Sequence, residues 1–419
     1  MKKTPALYLT LTIIICVLGY ISYDYLLIAR QARTWPFNSG IGKNLPNFVK
    51  NFGYGLTNPS NKTISTEYEE LSLNYYQIPS SSAVGGGGGI EALTSTHLLI
   101  TTSFGDIVLF DLNSSTFNTN QENLLEKYSV IRDIYLDEEL SEFLVFGVLD
   151  ISPECKEIHI DSYSYSYTNE FNISDRKNIW KSEAACEDPS YSGAGGRITA
   201  YKGKYYISVG HFNSKIYENF EEGMNPYSQL ASSSFGKLIQ IDKIPPYNSS
   251  IYASGLRAPE GLFVTTDGSE LFLTEIGPKG GDELNLVLKN KNYGWPCKSS
   301  GTMYGYPTTY ETEWPEDLTV FGCTGNQKFE EPLFTTGPTI ALSQGFQYEG
   351  NYFDKYTNNL IIGSLAGLSI FRITYENKRI GATEQIVIGE RIRDIMETPD
   401  QKIAVYTDGG ALVIISKNQ

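Results

Sequence analysis

Histidine is scarce in this chain: 419 residues carry only His97, His159 and His211. A mechanism that needs an imidazole base therefore has three candidates. The five cysteines contain no C-x-x-C spacing, which argues against a structural zinc site. Basic residues are also short, with 33 Lys and Arg against 48 Asp and Glu, a net charge of −15. A chain this acidic is a poor partner for nucleic acid. The glycine run Gly85–Gly89 lacks the Lys-Ser/Thr and the helix that would make it a phosphate loop, so it reads as a close-packed approach to a strand. No nucleophile, base and acid can be named together, which argues against a hydrolase.

Tyr (30), Phe (20) and Gly (39) are abundant instead, and Thr, Ile and Val fill short runs. That is the composition of an all-β protein with many turns. One pattern recurs six times: a short strand, a turn, an alternating apolar strand, a glycine turn and another alternating strand. The copies start near Gly88, Ile131, Gly195, Ala258, Ser343 and Ile392, and the second and sixth share Ile-Arg-Asp-Ile. Six such units predict a six-bladed β-propeller. A strand near Leu71–Ile78 is expected to join the last blade and hide its edge. The organisation expected is a membrane-anchoring helix or signal peptide over 1–29, a linker over 30–70 and the propeller over 71–419.

The N-terminal expectation rests on Met1-Lys2-Lys3 followed by an apolar run from Ala6 to Tyr23. Either an anchor or a cleaved signal would export the rest of the chain. Four cysteines then lie outside the membrane. Sequence proximity favours Cys155–Cys186 and Cys297–Cys323 as disulfides, with buried free thiols as the alternative.

Aligned without gaps, the six copies put Glu91, Arg132, Arg197, Arg257, Gln344 and Arg393 in one polar column. Such a column would ring the axial channel. Its arginines suit an anionic ligand, or they bridge blades by pairing with neighbours such as Asp133 and Asp394. Arg391 and Arg393 should point to the same side of their strand.

The most informative stretch is Ser254–Pro296, SGLRAPEGLFVTTDGSELFLTEIGPKGGDELNLVLKNKNYGWP. It resembles the signature block of the soluble quinoprotein aldose dehydrogenases, the glucose/sorbosone dehydrogenase family. The resemblance implies a six-bladed propeller that binds pyrroloquinoline quinone (PQQ) and Ca2+ and oxidises aldose sugars or polyols outside the cytoplasm. It implies calcium at the Gly277 and Pro278 carbonyls, with Asp282 and Glu283 adding negative charge. Read without the family, that turn is a plain acidic one whose carboxylates cap backbone amides. The family's R-x-R pair matches Arg391 and Arg393, and its quinone-contacting threonine matches Thr339. Its G-H-R-N-P-Q-G arginine matches Arg257, and Arg197 follows the family's G-R element.

The departures fall on the chemistry. Where the family has its catalytic His, the string GAGGRI has Gly193. Ala258 replaces an asparagine, Glu260 a glutamine and Ala366 a quinone-binding lysine. Oxidation of a sugar hydroxyl needs a base to take the proton. His211 and Glu260 are the replacement candidates, and His97 and His159 read as structural. The competing expectation is a propeller that has lost the reaction and binds a carbohydrate, an anionic small molecule or a protein in its axial funnel.

Overall fold

Leu71, Leu73, Ile403, Val405, Val413 and Ile415 alternate with residues facing the other way, which is how a strand buries both faces between two neighbours. The computed structural model describes residues 61–418 except 80–85, 122–124, 126, 169, 187–192, 213–226, 302–322 and 325. Every element named in it is a strand, and the strands form six sheets of four or five, antiparallel except where Lys291–Asn292 pairs parallel with Ser249–Ser254.

The innermost strands are Gly88–Ala92, Val130–Asp137, Gly195–Tyr201, Pro259–Val264, Leu342–Gln347 and Ile392–Glu397, and each touches the next in a closed ring. Their starts fall within one residue of the expected copies. Six apolar clusters lie one between each pair of neighbouring blades. The core is thus a ring of inter-blade layers. Within blade six, Val405 faces blade five while Tyr406 faces blade one.

The ring closes as expected. Glu70–Gln77 pairs antiparallel with Ala411–Lys417, from Leu71↔Lys417 to Gln77↔Ala411. A further strand, Lys62–Ser65, pairs outside it and lies within the stretch read as linker. Arg372 of blade five pins this segment: it pairs with Glu67 at 3.2 Å and Glu384 at 2.8 Å, beneath the Tyr68 ring. The apolar run over 6–23 lies outside the described residues. Among the described residues no helix is long and apolar enough to cross a membrane.

Both favoured disulfides are present, Cys155–Cys186 and Cys297–Cys323. The glycine run does pack closely: a Cβ on Gly87 would lie 2.0 Å from the Ile131 carbonyl oxygen. His97 bonds Thr94 and Thr96, and His159 bonds Glu157 and Asn178, both within their own sheets.

Candidate functional site

Bulges at the start of the innermost strands build the axis. In blades two, four and six the strand register jumps by one residue, leaving Arg132, Glu260 and Arg393 unpaired in the ladder. A bulged residue is re-aimed out of the sheet, here toward the channel. The gap-free column therefore needs correction. Glu260, not Arg257, fills the fourth blade's place, and Arg197 corresponds to Asp133 and Asp394, one residue further on. Blade three carries the same bulge at Gly196, so the equivalent places are fixed by strand pairing, which similarity between the copies does not show.

The bulged side chains meet. Arg132 Nη2 donates to both oxygens of Glu260 at 2.8 and 3.0 Å, and Arg393 Nη1 donates to Glu260 Oε2 at 2.8 Å. Arg393 also grips Asp408 through Nε (2.9 Å) and Nη2 (3.1 Å), and Arg391 Nε reaches the same carboxylate at 3.0 Å. Burial alone would raise Asp408, but Arg393 and Arg391 hold it far below the usual carboxylate range. Within this cluster three guanidiniums meet two carboxylates, and Arg391 is its half-buried member.

Beneath them, Arg197 donates Nε to the Glu260 carbonyl (2.8 Å), Nη1 to Asp133 (2.9 Å) and Nη2 to the Arg393 carbonyl. Asp394 lies 3.4 Å from Nη1. Arg197 is 1% exposed. Its guanidinium is spent on blades two, four and six. The three nitrogens of buried Arg393 are likewise spent on Asp408 and Glu260, whereas Arg391 is half-buried.

Asp133 and Asp394 share the Arg197 cation. Burial pushes Asp133 up to about 7 against Arg197, with Asp394 adding to the rise. Burial also raises Asp394 against Arg197, and burial, then Asp133 and Asp394, raise Glu91. The folded chain so keeps protons that the unfolded chain, with carboxylates near 4, has lost. The stability from this cluster is full below about pH 4 and is lost as pH rises through about 7. Paired Asp408 and Asp161, whose values are lowered, act oppositely below about pH 4. Lys237, lowered to about 7 by burial, adds stability as pH rises above 7. Thermal melts should therefore show stability declining from pH 5 to 7, and Asp133→Asn should flatten that slope by about 1–4 kcal/mol. An unchanged slope in the variant would remove Asp133 as its source.

The signature turn sits at the same end. Asp282 is buried and accepts from the backbone N–H groups of Gly277 (3.1 Å), Ile340 (2.7 Å) and Ala341 (2.6 Å). Thr339 accepts from Gly280 N–H and donates to the Pro278 carbonyl at 3.1 Å. Arg257 donates Nη1 to the Ile276 carbonyl (2.8 Å) and the Gly277 carbonyl (2.9 Å), with its guanidinium over the Trp295 ring. His211 is buried, bonds the Arg257 carbonyl through Nδ1 at 2.6 Å and sets its ring against Trp295. A carbonyl only accepts, so Nδ1 carries the hydrogen.

Sequence reasoning missed Glu275. It stands directly opposite Glu283 on paired strands, and Asn285 donates to both at 3.1 and 3.3 Å. Burial and Glu283 push Glu275 up to about 8. The two carboxylates, Arg257, Trp295 and Lys298 line a shallow recess of about 10 Å3, room for one water. The signal was present in the T-E-I-G-P-x-x-x-D-E string, but pairing Glu275 with Glu283 requires the strand register.

These contacts test the expected cofactors. The half-buried Arg391 guanidinium fits a carboxylate-bearing quinone. Calcium fits less well. Asp282 spends its oxygens on backbone amides, Glu283 bonds Asn285 and Ser300, and the Gly277 and Pro278 carbonyls already accept from Arg257 and Thr339. A divalent ion on Gly277 would lie about 4–5 Å from a guanidinium and meet repulsion of several kcal/mol. Among the described residues no three carboxylate, His or Cys side chains converge as metal ligands. The four expected calcium residues share one turn, and the plain acidic reading describes Asp282.

Residues 87–414 match the model of the Glucose / Sorbosone dehydrogenase family. The chain belongs to that family. It is 28% identical over 239 residues to aldose sugar dehydrogenase YliI of Escherichia coli, covering 53% of this chain and 59% of that one. It is 30% identical over 213 residues to quinoprotein glucose dehydrogenase B of Acinetobacter calcoaceticus, covering 39% and 44%. The chain thus spans about half the length of the curated relatives it matches. Among solved structures, the apo soluble aldose sugar dehydrogenase of Escherichia coli superposes with a TM-score of 0.67 at 19% identity, covering 83% of this chain and 100% of that one. The PQQ-bound aldose sugar dehydrogenase of Streptomyces coelicolor gives 0.57 at 18%, covering 83% and 98%. Both likenesses carry the fold. Against the family pattern, Gly193 has φ +83°, a backbone that suits glycine and strains histidine.

Proposed function

We propose that this protein is a quinone-dependent oxidoreductase acting on a hydroxyl of an aldose sugar or related polyol, on the outer side of a membrane. The observation that supports it most is half-buried Arg391, held with Arg393 on Asp408, in a chain of this family. Half-buried Arg391 would hold a carboxylate of PQQ, which supplies a hydride acceptor when bound, and buried Arg393 would fix Arg391 through their shared Asp408. Thr339 and Asp282 fix the Gly277–Gly281 turn beside it. Glu260 sets the spacing of Arg132 and Arg393. Both Glu260 carboxylate oxygens already accept from Arg132 and Arg393, so Glu260 acts as a positioning residue. His211 braces the Arg257 carbonyl and so couples blade three to blade four. The two disulfides suit an oxidising compartment, consistent with export through the apolar run over 6–23.

One observation favours the second reading, a binding propeller without turnover: at position 193 there is no side chain to take a proton. Calorimetric titration of PQQ into the full chain, beside the Arg391→Ala, Arg393→Ala double variant, separates the readings. Each charged hydrogen bond contributes about 1.5–3 kcal/mol, so the double variant should bind at least about tenfold more weakly. Wild type should then reduce an artificial electron acceptor in the presence of aldoses. Binding without turnover would leave the second reading; no binding by the folded wild type would end the first.

A further inference from the structure

We infer that Arg257 is the resident cation of the signature turn and that the site takes an anionic ligand without a divalent metal. The Gly277 carbonyl, one of the two that a metal would need, accepts from Arg257 Nη1 at 2.9 Å, and the same nitrogen holds the Ile276 carbonyl at 2.8 Å. The other carbonyl, Pro278, accepts from the Thr339 hydroxyl at 3.1 Å. Arg257 is fixed from three further sides. Its backbone N–H donates to Glu275 at 2.7 Å, its carbonyl accepts from His211 twice, and its guanidinium lies 5.1 Å from the Trp295 ring centroid.

Two features make this a built arrangement. Glu275 and Glu283 line the same recess, and both are already engaged by protein donors, Glu275 by the Arg257 backbone N–H and Asn285, Glu283 by Asn285 and Ser300. Asp282, the strongest ligand candidate by charge, is turned inward onto three backbone amides. Guanidinium and calcium both present positive charge to an anion, but only the guanidinium is covalently tethered and insensitive to chelation. The quinone arm of the inference rests on the proposed function; the calcium arm does not.

The test uses the full chain, stripped with EDTA, as wild type, Arg257→Gln and Arg257→Lys. Calcium chloride is titrated into each by calorimetry. Arg257→Gln should gain one calcium equivalent over wild type, whereas Arg257→Lys, which keeps the charge, should not. PQQ is then titrated with EDTA and with calcium. Wild-type affinity should agree within twofold between the two conditions, and Arg257→Gln should need calcium for a gain of tenfold or more. Equal calcium uptake by all three proteins overturns the inference, as does a tenfold loss of wild-type PQQ affinity on chelation. If wild type takes no PQQ in either condition, the proposed function fails while the calcium comparison still decides the role of Arg257. Melting curves of the three proteins separate a folding defect from a site effect, and Arg257→Lys remains informative if Arg257→Gln fails to fold.

Discussion

Arg197→Ala should cost about 3–5 kcal/mol of stability. The figure comes from what is left behind. Asp133 and Asp394 are both buried and share the Arg197 guanidinium as their common ion-pair partner. Breaking a buried pair from one side strands the other charge in low dielectric. Here two carboxylates are stranded, and the Glu260 and Arg393 carbonyls lose their donors too. A domain is stable by about 5–15 kcal/mol in total. Urea unfolding measures the loss. The control is Arg197→Met combined with Asp133→Asn and Asp394→Asn, which removes all three charges together. It should recover at least half of the loss, because neutral replacement of a buried ion group is often near neutral. A single variant melting like wild type would remove Arg197 from the list of structural pillars.

Deleting residues up to Gln77 should abolish a folded monomer. The deletion removes the ladder from Leu71 to Gln77 and takes Leu71 and Leu73, 1% and 0% exposed, out of the layer between blades five and six. Each buried leucine contributes about 2–5 kcal/mol by truncation data, so two of them approach the whole stability of the fold. It also exposes Ala411–Lys417 as a free apolar edge, a template for self-association. Size-exclusion chromatography should show aggregate, while Lys62→Ala, on the outermost strand, should leave a monomer. A soluble, cooperatively melting monomer from the deleted chain would show that closure is dispensable.

The fold was legible because turns and alternation recur. Ile-Arg-Asp-Ile appears at two blade starts, and the strand that closes the ring shows the same alternation as the blades. The family's R-x-R pair was legible because Arg391 and Arg393 lie two apart at the entry to Ile392–Glu397, and both do reach Asp408. What stayed hidden depends on register and on distance along the chain. The bulge that puts Glu260 between Arg132 and Arg393 adds one residue with no compositional mark. Glu275 meets Glu283 only through strand pairing. The inward turn of Asp282 is set by amides nearly sixty residues away, at Ile340 and Ala341.

The closing strand also sets a timetable. Gln77 leaves the ribosome early, yet its partner Gly410 lies 333 residues further on. At about 5–20 residues per second, roughly 17–67 seconds of synthesis separate the two. Through that interval Glu70–Gln77 has only the short outer strand Lys62–Ser65 to pair with, and blades one to five are complete before their ring can be. Closure is therefore the last step of folding. A nascent chain caught before it presents a strand edge still awaiting blade six, available to any holdase.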